Sequence, residues 1–587
     1  MLSFLRTAAR SVYLPIIDKA EDAYAAFAAS GRALFLFFSA LLIVSSGALI
    51  FMLNGALLVS TPASGGSFTE GILGAPRFIN PVLAVSGADN DLSVLIYSGL
   101  LKTTPEGEYV PNLASSFELS DGGRVYTFYL REDATFHDGT VVSAHDVTFT
   151  VAKIQDPSLK SPIRANWEGV TVEALDDRTV RFTLVQPYAP FINNATVGIL
   201  PKHLWSQVSV EEFPFSELNT SPIGSGPFQV KSVSRTASGI PSSYELRPFD
   251  DYTLGRPYLS SMRFNFYQNE EELIAALARG DIEAVSSVSP SLLPELPYNH
   301  TERSALNRVF GIFFNQNEAA VLRDLDVRVA LEMAVDREAL VANILGGYGT
   351  ALSGPVPPGV VVQSAAKPAA AAEDRALAAR EHLLSDGWET SEDGTLFKTT
   401  GSDEDEKTLQ LSFTISTGNV AELRAAAEFV KEAWERMGAK IEIQVFDQGD
   451  LSQNVIRPRK YEALLFGEVV GRELDLFAFW DSSQRNDPGL NIALYANATA
   501  DRLLKALRET SDEEVRASLY AEFEAELRKD IPAVFLYAPD FVYSIPNDIK
   551  GFELGFIETS SDRFLSVREW HREVDHVWPV FLPDTTI

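Results

Sequence analysis

The sequence predicts an α/β protein carried behind a single membrane-spanning helix. Three observations predict it: segments of period 3.6 and period 2 are mixed along the chain, the composition is that of a packed globular body, and an uncharged apolar run lies near the N-terminus. Of the 587 residues, 46% are hydrophobic and 11% aromatic. That supply supports several folding units or one multi-lobed body with a sizeable interior, and it separates the chain from the disordered and low-complexity classes.

The N-terminal element comes first. From Ala33 through Ser60 no residue is charged, and about 20 apolar residues in a helix are enough to cross a bilayer core. Arg6, Arg10, Lys19 and Arg32 precede the run, and no Lys or Arg follows it until Arg77. The positive-inside bias therefore puts the N-terminus in the cytoplasm and the remaining domain outside, on the periplasmic side or the cell surface. Two other readings stay open: a cleaved signal peptide, with Thr61 and Ala63 at the small-residue positions before the cut, and a buried core helix. A retained anchor is favoured because a 32-residue leader with a helical-looking DKAEDAYAAFAAS stretch precedes the run. The run is also longer than the usual apolar region of a signal peptide.

After the STPASGGS segment the elements alternate. Asp138-Gly139 marks a tight turn, and Ser143 with Asp146 forms a capping box opening a helix that carries Val147, Val151 and Ile154 on one face. Strand alternation follows in TVRFTLVQP, where Val180, Phe182 and Leu184 interleave with polar residues, and later in KIEIQVF at Ile441, Ile443 and Val445. Helical stripes appear at Val327, Ala330, Leu331 and Ala334, and at Val515, Leu519, Phe523 and Leu527 behind a Ser511 to Glu514 capping box. Residues 365–380 are alanine-rich and helical by propensity, and GSDEDEK at 401–407 reads as a charged loop.

Composition also excludes partners and chemistries. A formal net charge of −31 speaks against nucleic acid, whose phosphates require clustered Lys and Arg. The chain has no cysteine, so disulfides, thiolate metal sites, a Cys nucleophile and a lipidated N-terminal Cys are all excluded. The phosphate-loop, dinucleotide, zinc-protease and serine-hydrolase patterns are absent. His137-Asp138 and His145-Asp146 are the close His/acid pairs, but a turn and a helix N-terminus account for their acids. Asp324 and Asp326 likewise sit just before a helix, where exposed amides favour them. The reading is a non-enzyme with no metal site and no cofactor.

Particular stretches then point further. The segment Tyr97 to Val151, with YSGLLKTTPEGEYVPNLASSFELSDGG and FHDGTVVSAHDVTFTV, is followed in order by SPIGSGPFQV from Ser221, ARGDIEAV from Ala278 and FFNQNEAAVLRDLDVRVALEMAVDREAL from Phe313. GYGTALSGPVPPG from Gly347 and IPAVFLYAP from Ile531 complete the series. Together they resemble the family 5 extracellular solute-binding proteins, the peptide and nickel receptors of ABC importers, over nearly everything after residue 66. Physical sense accompanies the pieces: Gly224 and Gly226 are expected to permit backbone conformations closed to bulkier residues, and Asp326 to cap the helix bearing Val327.

The resemblance implies a two-lobed periplasmic-binding-protein-like body (type II, family 5/cluster C) with an extra small domain. Its expected layout is a cytoplasmic segment 1–32, the anchor 33–59, a linker 60–66, lobe I from 67–100, 223–312 and 543–587, a small domain 101–222, and lobe III 313–542. It also implies capture of an oligopeptide or similar extended solute in the interlobe cleft and delivery to ABC permease subunits, with the lipid bilayer met through residues 33–59. No covalent chemistry is needed, since a ligand that touches both lobes only when closed shifts the open and closed populations. Two alternatives remain: a membrane-tethered sensor or interaction module of the same fold without transport, and a peptidase.

Peptide-binding relatives carry a lobe strand reading roughly Gly-Trp-x-x-Asp, using main-chain groups for the peptide backbone and the Asp for its free amine. Here the strand is Gly467-Glu468-Val469-Val470-Gly471. Backbone pairing survives any side-chain change, so Gly467 to Gly471 remain candidates for an extended ligand. The amine clamp is missing from its usual place, and Glu468 or Asp475 is the candidate substitute; their bland readings are a surface strand residue and a solvated loop acid. Arg472 is a candidate for a ligand carboxylate or else lies in solvent. Trp480 and Trp388 are candidates to stack on a ligand or else belong to the core.

Overall fold

The computed structural model describes residues 19, 22, 24–286, 288–296, 300–358, 372–400, 407–510 and 512–581. It divides into two compact units, Met1–Ala63 with Glu573–Ile587, and Ser64–Arg572.

In the first unit, α1 (Ala29–Leu57) is a single helix, about 43 Å long at 1.5 Å per residue and so longer than a bilayer core. None of its apolar window is buried, unlike a core helix. From the last residue of the expected anchor into the expected linker, Val59–Ala63 forms a strand paired antiparallel with Glu573–Val577, Val59 opposite Val577 and Ala63 opposite Glu573.

The second unit is built on one long sheet. Its strands are β1 (Ser67–Leu73), β2 (Phe228–Arg235), β3 (Pro241–Pro248), β4 (Ser261–Tyr267), β5 (Ala284–Ser286), β6 (His300–Ala305), β7 (Arg308–Phe314), β8 (Ser412–Gly418), β9 (Lys440–Phe446), β10 (Ala463–Val469) and β11 (Ala533–Ile545). They run in the order β9-β8-β10-β7-β11-β5-β1-β4-β3-β2, with β6 and a short twelfth strand, Gly349–Ala351, also paired to β11. β11 joins the two halves: Ala533 to Tyr537 pair with β7, and Asp540 to Ile545 pair with β6. Its residues are buried along nearly the whole length, as expected of a central strand covered on both faces.

Alternation assigns the β7 and β10 side chains to two cores. Ile312, Phe314, Ala463 and Leu465 lie in one cluster, and Val309, Phe313 and Leu464 in the other. The expected stripe at Val327, Ala330, Leu331 and Ala334 is fully buried on the first of these. Its helix, Leu325–Ala334, is capped by Asp324, whose carboxylate accepts from Asp326 N–H at 3.0 Å; Asp326 itself sits two residues too late for the capping role expected of it.

A third, larger core underlies β1 to β4 and a separate four-stranded sheet made by Ala114–Ser120, Val125–Leu130, Thr179–Thr183 and Thr171–Ala174. Val180 and Phe182 point inward with at most 1% exposure, and α3 (Ala144–Gln155) follows α2 (Gly87–Ile96) as a helix opened by a complete capping box, Ser143 with Asp146. The Phe136 to Thr140 turn is closed by two main-chain bonds, with Gly139 at φ +83°. Gly224 and Gly226 are needed for a different reason from the one expected: a Cβ at Gly224 would lie 2.0 Å from Ile96 O, and one at Gly226 2.5 Å from Ile96 C, so close packing of two main chains excludes a side chain.

The C-terminal stripe is shifted. The helix Glu513–Asp530 is capped by Asp512, which accepts from Val515 N–H at 3.1 Å, while Ser511 lies outside the described residues. Phe523 and Leu527 are buried, but Val515 is 47% exposed, because the first turn runs past the end of the core. Residues 365–371 and 401–406 also lie outside the described residues; the described part of the alanine-rich helix is Ala372–Ser385.

Candidate ligand site

The candidate strand β10 has one satisfied edge and one open edge. In antiparallel pairing, alternate residues direct both main-chain groups to the partner. Val470 N–H donates to Asn307 O at 3.0 Å on the β7 side, which places the groups of Phe466 and Glu468 on that side too. Gly467 and Val469 therefore present N–H and C=O to the opposite edge. There the pairing with β8 ends at Leu465, opposite Thr417. Beyond that point no strand of the described residues covers the edge.

The residues after β10 form a loop held from several sides. Arg472 is buried; its N–H donates to Glu558 Oε2 at 3.3 Å, and Nη2 donates to Asp562 Oδ2 at 3.1 Å and to Phe556 O at 3.4 Å. Tyr109 Oη donates to Glu473 Oε1 at 2.7 Å. Asp475 takes Arg508 Nε at 2.8 Å and Tyr188 Oη at 2.9 Å, while the Arg508 guanidinium lies 3.9 Å over the Phe477 ring. The loop main chain is fixed by Arg516 Nη2 on Glu473 O at 2.6 Å and Tyr520 Oη on Leu474 O at 2.7 Å. Elements from residues 105–190 and 555–565 thus meet the 471–476 loop directly.

Against this geometry the expected residues separate. Asp475 is neither solvated nor free, because its carboxylate is taken by Arg508 and Tyr188. Arg472 does not lie in solvent, although its Nη1 has no partner. Trp480 is 0% exposed, packed among Phe313, Tyr495 and Phe535 at ring distances of 5.7–6.2 Å, and Trp388 is likewise in the core. For both, the core alternative describes their place here. Glu468 departs from its bland reading: it is 3% exposed, and neither carboxylate oxygen has a hydrogen-bond partner among the described residues. Burial drives its pKa well above the usual carboxylate range. Val470 is fully buried, and a Cβ on Gly471 would stand 3.6 Å from Glu558 Oε1.

Sequence reasoning missed the opposing wall. Asp562 caps its own loop, accepting from Glu558 N–H at 2.7 Å and Thr559 N–H at 3.1 Å within a capping box that was legible as Thr559-x-x-Asp562. Asp562 also lines a cavity of about 270 Å³ with Val94, Lys102, Asn112 and Phe564. Burial, with Arg568 nearby, brings the Lys102 amine down to about 8. Glu558 is pushed up to about 7 by burial and then by Asp562, with Arg472 opposing.

A group whose folded pKa is raised binds more protons folded than unfolded, so the stability tied to Glu558 is complete below its ordinary 4.5 and is lost as pH rises through about 7. Glu558→Gln is expected to be more stable than the parent by about 2–3 kcal/mol above that range and equal to it below, in urea unfolding followed across pH. A difference independent of pH would refute the assignment.

The His/acid pairs prove structural in their placement. His137 Nε2 faces Gly226 O at 3.1 Å and its Nδ1 accepts from Gly224 N–H at 3.3 Å; burial lowers its pKa to about 4. Asp138 pairs with His203 at 2.7 Å, and Asp146 is the cap already described. The acids Asp324, Asp326 and Asp386 stand close together, but Lys398 lies 2.6 Å from Asp386 and 3.7 Å from Asp324, and the His382 ring lies 3.0 Å from Asp326, so side chains of the chain already face them.

A sequence profile of the bacterial extracellular solute-binding proteins, family 5 (middle), matches residues 108–488. The chain belongs to this family. The oligopeptide-binding protein AppA of Bacillus subtilis is 29% identical over 509 residues, 84% of this chain and 90% of AppA. Its structure in complex with a nonapeptide superposes with a TM-score of 0.65 over 87% of this chain and 99% of that one, at 27% identity. The ABC transporter substrate-binding protein CtaP of Listeria monocytogenes gives a TM-score of 0.71 at 25% identity over 87% and 100% of the two chains. NikZ of Campylobacter jejuni, solved with Ni(L-His), gives 0.66 at 26% identity over 86% and 99%. The α/β fold expected from the sequence is thus that of a family 5 solute-binding protein, a family of binding proteins and not enzymes. α1 stands before it as a helix long enough for a single membrane span.

Proposed function

We propose that this protein is the extracytoplasmic binding component of an ABC importer, taking up an oligopeptide or a similarly extended solute and passing it to a permease. The observation that carries the reading is the open edge of β10: Gly467 and Val469 offer main-chain donors and acceptors in strand geometry, which an extended peptide satisfies by adding a strand. AppA, of similar fold, holds a nonapeptide, which supports the peptide class. The ligand then lies between lobe III, 313–542, and lobe I, 67–100, 223–312 and 543–587, with 101–222 as the small domain. Contacts such as Tyr109 with Glu473 and Arg472 with Asp562 support a closed arrangement of these parts. Gly467 and Val469 line the ligand with Glu468 between them, and Arg472 and Asp475 hold the following loop in place.

In this reading α1 is retained and tethers the protein to the cytoplasmic membrane, doing what a lipidated Cys does elsewhere. Full-length protein prepared from membranes tests both parts. It should resist alkaline carbonate extraction with residues 1–60 intact, and native mass spectrometry should find a co-purified peptide or a peptide pool should raise its melting temperature. A mature N-terminus near Ser64 counts against the tether. Absence of any bound solute and of stabilisation by every peptide pool counts against ligand capture.

A further inference from the structure

We infer that Glu468 makes the β10 edge select ligands carrying a cationic group, an ammonium or a guanidinium, at the position that pairs beside it; the inference rests on the strand-edge reading proposed above. Side chains of laterally adjacent residues project from the same face of a sheet, with Cβ atoms about 4.5–5.5 Å apart. Glu468 lies between Gly467 and Val469, the two residues whose main chain faces the open edge, and it stands opposite Val309 on the covered side. A ligand residue set against it from the open side therefore places its own side chain alongside the carboxyl.

Nothing among the described residues serves that carboxyl. Glu70 and Asp91 share the Arg563 cation and Asp562 has Arg472, while the buried acids Asp89, Asp146 and Asp481 each accept a main-chain N–H. Glu468, 3% exposed, has no ion pair and no hydrogen bond to either oxygen among the described residues. Leaving a buried acid unpaired is destabilising, and burial raises its pKa well above the usual carboxylate range. An arriving cation would supply the missing partner in a water-poor setting, where charge-assisted hydrogen bonds are strongest. An uncharged side chain would leave the acid as it was.

The test measures binding of alanine-based pentapeptides to the full-length protein in mild detergent. One set is acetylated and amidated with a single Lys moved through the positions, one is the same with Gln, and one is neutral with a free N-terminal amine. The parent protein should bind at least one Lys peptide, or the free-amine peptide, about 10- to 100-fold more tightly than the blocked neutral peptide. Preference in the Lys set identifies a side-chain cation, and preference in the free-amine set identifies the α-ammonium. Glu468→Gln should erase the preference, bringing the ratio of cationic to neutral affinity to about 1. Glu468→Met, which removes the unpaired oxygens, should do the same and raise the melting temperature of ligand-free protein. Persistence of the preference in both variants, or neutral and cationic peptides bound equally by the parent, overturns the inference and leaves the strand-edge reading standing. Failure of the parent to bind any peptide overturns both.

Discussion

Replacing Arg563 by leucine is expected to cost about 3–5 kcal/mol of stability, read as a large drop in the urea midpoint of the full-length protein. Arg563 is fully buried and makes a bidentate pair with Asp91, at 2.8 and 2.7 Å, and a further bond from Nε to Glu70 Oε1 at 2.9 Å. Tyr543 Oη donates to the other Glu70 oxygen at 2.9 Å, and Ser561 Oγ to Asp91 at 2.8 Å. One guanidinium thereby ties β1, α2, β11 and the 560–564 turn, and so positions the wall that carries Glu558 and Asp562. Removing it strands two carboxyls in an apolar core. Burial already raises Glu70, with Arg563 the largest opposing influence, so its loss forces that carboxyl towards the neutral form. Glu70→Gln with Asp91→Asn added to the leucine variant should recover part of the loss, because a neutral trio no longer buries unpaired charge. Equal stability of parent and Arg563→Leu would sink the account. Exposed pairs such as Lys231 with Glu245 should contribute about 1 kcal/mol or less by comparison.

Val469→Pro is expected to weaken binding of every peptide by about 10- to 100-fold, whatever its charge. The N–H of Val469 is directed to the open edge, away from β7, so proline removes a donor offered to the ligand and sets its ring where a new strand would lie. The same geometry makes the change mild for the ligand-free fold, since no ladder bond of the described strands uses that N–H. Isothermal titration with neutral and cationic peptides separates this effect from that of Glu468, which is confined to cationic ligands. Unchanged affinity in Val469→Pro would remove the strand-edge reading.

How much of this was legible beforehand depends on how far apart the partners lie. The capping box of Ser143 and Asp146, the Asp138-Gly139 turn, the inward alternation of Val180 and Phe182 and the stripe from Val327 to Ala334 all involve neighbours within a few residues, and all were readable. Where caps went astray the shift was small: Asp324 took the place given to Asp326, and Asp512 opens the last long helix. Site residues were harder. Arg472 meets Asp562 across 90 positions, and Arg563 meets Glu70 across 493. No local pattern distinguishes a loop acid held by Arg508, as Asp475 is, from a free one. Nor does any local pattern tell an aromatic in the core, as Trp480 is, from one facing a ligand.

The sequence by itself determined the apolar helix ahead of an α/β body, the family, and the strand from Gly467 to Gly471 as the place to look. These follow from length, periodicity and ordered words, which are properties of contiguous residues. Only packing in three dimensions revealed that no described strand covers the far edge of β10, that Asp475 and Arg472 are already paired, and that neither Glu468 oxygen has a partner among the described residues. Those are properties of what surrounds a side chain once distant segments have packed, and burial and pairing exist only there.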